Sequence, residues 1–465
     1  MTTLTDKPRT DTSDDAVVGR EAPTMPGALP LVGHIPMIAR SRFDLIDRAS
    51  TQGPVCKVLL GPHTAYFVND YALLAEVLVS DASDFVRGVH FEKMRNIVGN
   101  GVVTTSGDLH RKQRRVLLPS FTQRRLEIQM PIMRRIMADF VSTLPEGTPH
   151  DIMEPLLAVG CDISASSLFG EDVPADKLEL IRQGIPVFVR NAAIHALDVT
   201  GMYKYLPTKS NRDFKRLLGA FDDYVFDVID KRMAHGPTGR AHDLLDTLVT
   251  ARDPETGEAM SRQEIRDQAV TILFASTETT ANTITWCVYE LARHPRWAEV
   301  CRSEIAEFGG ADGGIYDLQI GRNDLPTIKR CLMESLRLYP SSYLLSRQAK
   351  RDLVLGGFRI PAGATILYSH YGQQRNEDWF SHADEFDPQR WSEENTSEVT
   401  PKAYMPFGFG AYRCLGETVA TIESMYCIAM LLSEWNVSLA RGSAPAMNGN
   451  ITLSPRNLEF VFTRR

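Results

Sequence analysis

From about residue 108 to about residue 310 the chain carries helical periodicity with hardly a break. Helical runs are expected at 108–119, 123–142, 151–169, 176–190, 211–233, 241–251 and 261–293. This block constrains the fold more than any other feature, because so much helix must bury its apolar stripes against more helix. The last run opens on Ser261-Arg-Gln-Glu264, a capping-box pattern, and Pro295 marks its end.

Short β texture flanks the block. Val58-Leu59-Leu60 and Ala65-Tyr66-Phe67-Val68 read as strands, followed by a helix to about residue 78. Beyond about residue 345, Leu353 to Ile366 alternates as strand broken by Gly and Pro turns. Helix returns at 415–434, and strands close the chain. Residues 1–25 are polar and charged and are expected to be a disordered N-terminal segment. No repeat or low-complexity linker divides residues 26–465, which are expected to form one domain, mostly α with a minor β part (α+β).

Composition closes off several function classes. The net charge of −7 offers no global basic field for nucleic acid. The most apolar windows carry charges within every stretch of about 20 residues, so no membrane span is expected. The N-terminal segment lacks the apolar core of a secretion signal, and a cytoplasmic protein is expected. The seven cysteines show no spacing typical of a zinc site or a redox dithiol, which fits a reducing compartment.

One cysteine has unusual neighbours. In Pro406-Phe407-Gly408-Phe409-Gly410-Ala411-Tyr412-Arg413-Cys414-Leu415-Gly416, two glycines permit a tight turn and close approach of a flat ligand. A helix is expected from Glu417, so its N-terminal N–H groups and Arg413 favour a thiolate at Cys414. A Gly-rich turn with a buried thiol is the plainer alternative. The ordered set Phe-x-x-Gly-x-x-x-Cys-x-Gly, however, resembles the haem-binding loop of the cytochrome P-450 family.

Three further motifs agree in order. Glu334-Ser-Leu-Arg337 places an acid and a base on one helix face. In the family this pair packs under the haem with an Arg of a later loop, which resembles Arg390 in Phe386-Asp-Pro-Gln-Arg390-Trp391. Glu278-Thr279, mid-way along the longest helical run, resembles the family's acid–alcohol pair, and Ser276 stands where the family commonly has Gly. His110 and Arg114 lie four apart and resemble the family's partners for a haem propionate, as does Arg347. Tyr412 departs from the pattern, because the family usually has a basic residue there to meet a propionate.

The resemblance implies the cytochrome P-450 fold, a triangular helical body around a buried haem b, and a monooxygenase. Cys414 would be the iron ligand, and Glu278 and Thr279 would manage proton delivery. His110, Arg114, Arg347, Tyr412, Phe407 and Gly408 would hold the cofactor, while Glu334, Arg337 and Arg390 would be structural. Too little chain follows Cys414 for a flavin domain. Electrons from NAD(P)H are therefore expected through a separate ferredoxin or flavodoxin-type partner, docking on a basic patch of Arg111, Lys112, Arg115 and Arg413. The family's substrate regions hold Phe91, Phe274, Ala275, Tyr343, Leu344 and Leu345 here, an apolar set with little to grip an anion. A neutral apolar substrate, of terpenoid or similar secondary-metabolite type, is expected, with O2 as co-substrate and a monomer as the working unit. Two alternatives stand beside this reading: peroxide-driven or atypical haem-thiolate oxidation, and a haem ligand sensor without turnover.

Overall fold

The computed structural model describes residues 19–79, 84–170, 173–197, 203–239, 243–309, 320–395 and 403–465. Of the expected N-terminal segment, residues 1–18 lie outside the described residues. Residues 19–25 are packed rather than disordered. Ala22 and Met25 are buried, and the Met25 and Lys57 amides bond the carbonyls of Lys57 and Pro23. Two apolar side chains and a bridge to a strand are enough to order what is otherwise a polar stretch.

The chain begins with α1 (Ile35–Arg40) and α2 (Arg42–Ser50), the hairpin β1 (Val55–Leu60) and β2 (His63–Val68), then α3 (Tyr71–Val79), β3 (Phe85–Arg87) and α4 (Val89–Val98). The helical block follows as α5 (Gly107–Leu117), α6 (Gln123–Ser142), α7 (Met153–Phe169), α8 (Ala175–Leu197), α9 (Lys209–His235), α10 (Leu244–Thr250), α11 (Arg262–Arg293), α12 (Pro295–Gly309) and α13 (Pro326–Leu338). The mixed C-terminal part holds β4 (Leu344–Ala349), β5 (Leu353–Leu355), β6 (Phe358–Ile360), β7 (Thr365–Ser369), α14 (His370–Gln373), α15 (Glu417–Glu434), β8 (Trp435–Leu439), β9 (Ala446–Gly449), β10 (Leu453–Arg456) and β11 (Phe460–Arg464).

Two helices are apolar on nearly every face and lie at the centre. Every residue of α15 from Thr421 to Leu432 is buried, and most of α11 is too. The capping box at Ser261 and Glu264 forms as expected. One apolar cluster packs α11 and α15 against α6, α7, α12 and α13. A second joins the other side of α11 to α4, α5, α8, α9 and α10. The helices pack on a five-stranded sheet of order β1-β2-β7-β4-β3, in which β2 and β7 run parallel with Tyr66 opposite Ile366. Three two-stranded ribbons, β5-β6, β8-β11 and β9-β10, complete the β part among the described residues.

Candidate active site

The Phe407–Gly416 segment folds as a tight loop, with the Cys414 amide donating to the Phe407 carbonyl at 2.9 Å. Gly408 and Gly410 sit at φ 73° and 69°. Gly410 is also sterically obligatory, because a Cβ there would lie 2.2 Å from the Leu78 carbonyl oxygen at the end of α3. Leu415, next to the cysteine, packs against the apolar cluster that contains Phe274 of α11.

Cys414 is accessible, yet burial dominates its thiol and pushes it up. The Gly416 amide, Arg114 and Arg413 pull the other way and do not prevail. The expected stabilised thiolate is therefore not supplied by the helix end and Arg413 alone. Arg413 is already bonded to Glu417 at 2.7 and 2.8 Å. A thiolate here calls for an electrophilic partner such as a metal ion. Among the described residues no group of three His, Cys, Asp or Glu side chains could hold an ion alone, so that ion would have to bring most of its own ligands.

Beside the loop stands a cluster of cations without a carboxylate. Arg87 and Arg347 face one another across the β3–β4 ladder, an arrangement that like charges ordinarily disfavour. Their guanidinium carbons lie 4.4 and 4.7 Å from the centre of the Tyr412 ring, and the His110 ring lies 4.5 Å from it. Arg114, on α5 with His110, donates to the Arg413 carbonyl at 2.6 Å. Among the described residues none of the three arginines has a salt bridge. Burial, then repulsion from Arg347, brings Arg87 down to about 9. Burial, with Arg87 and Arg114 nearby, brings His110 down to about 3. His110 Nε2, Arg347 Nε and the Tyr412 hydroxyl are buried without a partner. Unpaired buried cations and orphaned donors are costly, so the cluster is built to receive anionic oxygens. A haem, with its two carboxylates and four iron-binding nitrogens, fits both this cluster and Cys414.

Arg87 was not among the expected site residues. It lies on a three-residue strand too short to show a period, and only its pairing with β4 puts it beside Arg347. It also accounts for Tyr412. A basic residue there would be a further cation between two guanidiniums, whereas an aromatic face attracts both.

On α11, Ala275 is exposed within a largely buried helix, one turn before Thr279. The Thr279 hydroxyl donates to the Ala275 carbonyl at 2.8 Å. Ser276 does not narrow this face. Its hydroxyl bonds the Ile272 carbonyl at 2.8 Å and Ser164 of α7 at 2.7 Å. The Glu278 carboxyl is pushed up by burial, a rise that the Thr452 hydroxyl opposes.

The Glu334–Arg337 pair is fully buried. Arg337 Nε and Nη2 bond Glu334 at 2.9 and 2.8 Å, and the other guanidinium hydrogens reach the carbonyls of Gln374, Ala383 and Glu385. Trp391 Nε1 and the Asp387 amide donate to Glu334, and Arg390 Nε approaches it at 3.4 Å. Thus the later loop meets the pair as expected.

The other expected contacts divide. Phe91 lies 4.6 Å under the Arg87 guanidinium, Phe274 is buried in the cluster against which Leu415 packs, and Ala275 is exposed on α11. Leu345 shares the strand face of Arg347, but its neighbour Leu344 lies on the opposite face and packs with Trp286 and Tyr371. The Tyr343 hydroxyl is committed to the Gly449 carbonyl. The expected docking patch is charge-balanced: Arg111 pairs with Asp108, Lys112 with Glu258, Arg115 with Asp253 and Glu255, and Arg413 with Glu417. Among the described residues no helix is long and apolar enough to cross a membrane.

Comparison with known proteins agrees with this geometry. The cytochrome P-450 family model matches residues 23–462. The chain is 32% identical over 435 residues to cyclooctatin synthase of Streptomyces melanosporofaciens, covering 92% of this chain and 93% of that one. It is 32% identical over 421 residues to pentalenene oxygenase of Streptomyces avermitilis (90% and 92%), and 29% identical over 423 residues to cyclooctat-9-en-7-ol 5-monooxygenase of Streptomyces melanosporofaciens (90% of each). In fold it is similar to the crystal structure of the cytochrome P-450DA heme domain, with a TM-score of 0.83 and 24% identity over 96% of this chain and 98% of that one.

Proposed function

The chain belongs to the cytochrome P-450 family and is a haem-b monooxygenase fed with electrons from NAD(P)H through a redox partner, and from that premise we propose that it hydroxylates a neutral apolar terpenoid. The observation that carries the site assignment is the carboxylate-free cluster of Arg87, Arg114 and Arg347 around Tyr412, next to Cys414. When bound, the haem supplies the activation of dioxygen; the chain supplies position, dryness and protons.

Cys414 Sγ would hold the haem iron and supply it with thiolate electron density. The Arg87, Arg114 and Arg347 guanidiniums, His110 Nε2 and the Tyr412 hydroxyl would take the two propionates. Phe407 and Gly408 shape the cysteine loop that would hold the haem. Thr279 presents a hydroxyl on the exposed side of α11, and Glu278 would carry protons from outside to that hydroxyl. Glu334, Arg337 and Arg390 would keep the polypeptide beneath the cysteine loop rigid. Phe91, Phe274, Ala275 and Leu345 give the substrate an apolar surface and exclude water. A ferredoxin or flavodoxin-type donor would dock near Arg413, where its contact relies on shape and rearranged ion pairs rather than on free positive charge.

The substrate class rests on that lining and on relatives. Pentalenene oxygenase and cyclooctat-9-en-7-ol 5-monooxygenase are named for an alkene and an alkenol. The test is a panel of cyclic terpene hydrocarbons and alcohols set against fatty acids and charged aromatics, read by the haem Soret shift and by product analysis. Terpenes should shift the band and yield alcohols. A shift confined to anionic ligands would overturn the assignment.

A further inference from the structure

Between α4 and α5, Gly99-Asn-Gly-Val-Val-Thr-Thr-Ser106 forms a strap laid against the N-terminal half of α11. Gly99 sits at φ 64°, and a Cβ on it would collide with Asp267 Oδ1. A Cβ on Gly101 would collide with Thr271 Oγ1. The strap can lie this close to α11 only because both positions lack a side chain.

The close approach lets buried side chains bond the strap directly. The Asn100 amide donates to Asp267 Oδ2 at 2.7 Å, and the Val102 amide donates to Gln268 Oε1 at 3.0 Å. Gln113 of α5 holds the other side. Its Nε2 donates to the Asn100 carbonyl and its Oε1 accepts from the Thr105 hydroxyl, both at 2.6 Å. Asp267, Gln268, Gln113 and Thr105 are all buried. The second Asp267 oxygen, Oδ1, accepts from Gln263 Nε2 at 2.9 Å and Arg266 Nη1 at 3.1 Å. Each carboxylate oxygen thus has its own fixed donors, and charge-assisted bonds of this kind are the strong ones.

On its other edge the strap holds Arg87. Arg87 Nη2 donates to the Val102 carbonyl and Arg87 Nε to the Thr105 carbonyl, both at 3.3 Å, and the Arg87 amide donates to Ser106 Oγ at 3.0 Å. Val102 therefore meets α11 through its amide and Arg87 through its carbonyl. A guanidinium without a carboxylate takes its direction from such neutral acceptors. We propose that Asp267 is a positioning residue for Arg87: by pinning the strap to α11 it fixes the two carbonyls that aim the guanidinium at a haem propionate. The inference rests on the reading of Arg87 as a propionate partner. Asp267 bonds the strap and its own helix, and its effect on the cation cluster passes through residues 100–105. A residue that only anchored the fold would act on haem whether or not Arg87 were present, whereas a positioning residue loses its effect once Arg87 is gone.

The experiment is a double-mutant cycle on the haem-loaded protein with Asp267→Asn, Arg87→Gln and the two combined. An Asn here keeps its carbonyl on Gln263 and Arg266 but turns an NH2 toward the Asn100 amide, so it cuts the strap link at constant shape. Transfer of haem to an excess of a haem-scavenging protein gives the release rate, and amide hydrogen exchange in the haem-free chain reports on the strap. Asp267→Asn should quicken exchange at the Asn100 and Val102 amides and quicken haem release about 5–10-fold, the size of one hydrogen bond. Added to Arg87→Gln, it should change release by less than about two-fold. Thr105→Val, which cuts the Gln113 link at the other end of the strap, enters the same cycle and serves alone if Asp267→Asn folds poorly. Equal factors with and without Arg87, or release unaltered by loosening the strap, overturn the inference. A normal release rate in Arg87→Gln overturns the propionate reading instead, and the inference with it.

Discussion

The carboxylate-free cluster makes an unusual demand: one substitution should change stability in opposite directions with and without haem. Arg87 is brought from its usual 12.5 to about 9, mainly by burial and then by Arg347. At about 1.4 kcal/mol per pH unit, this corresponds to roughly 4–5 kcal/mol of unfavourable electrostatics in the haem-free chain. Arg87→Gln removes the charge but keeps one amide to serve the carbonyls of Val102 and Thr105, which Arg87 reaches at 3.3 Å. Allowing about 1 kcal/mol for each weakened hydrogen bond, and for relaxation around the charge, leaves a net gain of about 1–2 kcal/mol. The gain should be complete below pH 9 and fade as the pH rises toward 12.5, where the unfolded guanidinium also loses its proton. With haem present the same change removes a charge-assisted bond to a propionate, so release should quicken about 10–100-fold. Urea unfolding of the haem-free chain and transfer of haem to an excess of a haem-scavenging protein measure the two effects. If Arg87→Gln weakens both states alike, Arg87 is a packing residue and the propionate assignment fails.

Three other outcomes follow from the same geometry. Cys414→Ser should abolish the thiolate-type Soret band of the reduced, carbon-monoxide-bound protein; a retained band would place the ligand elsewhere. Arg337→Lys cannot reproduce the five-donor fork to Glu334 and three carbonyls, and should cost about 3–5 kcal/mol, seen as a lower unfolding temperature and poorer haem content. Burial, then Arg347, brings His370 from 6.5 down to about 3. Its unfolded form therefore takes up a proton first, and stability present above pH 6.5 should fall steadily toward pH 3. His370→Phe should flatten the acid limb of a pH–stability curve, and an unchanged limb would refute this.

The sequence carried the helical block well because period 3.6 is a long-range average over many residues. The run at 123–142 coincides with α6, and the Ser261 capping box marks the start of α11. The run expected at 176–190 continues to Leu197, because Asn191 is buried and bonds Asn211 of α9 instead of ending the helix. The short elements α1, α2, β3 and α4 offered little periodicity to read. Cys414, Arg114, Arg347 and the Glu334–Arg337 pair were found because each sits in an ordered motif. Arg87 was not, because neither residue type nor spacing distinguishes it. Arg87 gains its meaning from a strand register.

The sheet order β1-β2-β7-β4-β3 has a kinetic consequence. Tyr66 leaves the ribosome about three hundred residues before its partner Ile366, so the nascent hairpin must wait with an open edge. Arg87 waits in the same way for Arg347. High contact order of this kind makes closure of the sheet a late event, and an exposed strand edge invites pairing with a neighbouring chain. Slower synthesis at lower temperature should therefore raise the yield of native protein more than any gain in equilibrium stability would suggest. On the proposed assignment haem uptake has to follow the same schedule, since the strands that close last also bring Arg87 and Arg347 together.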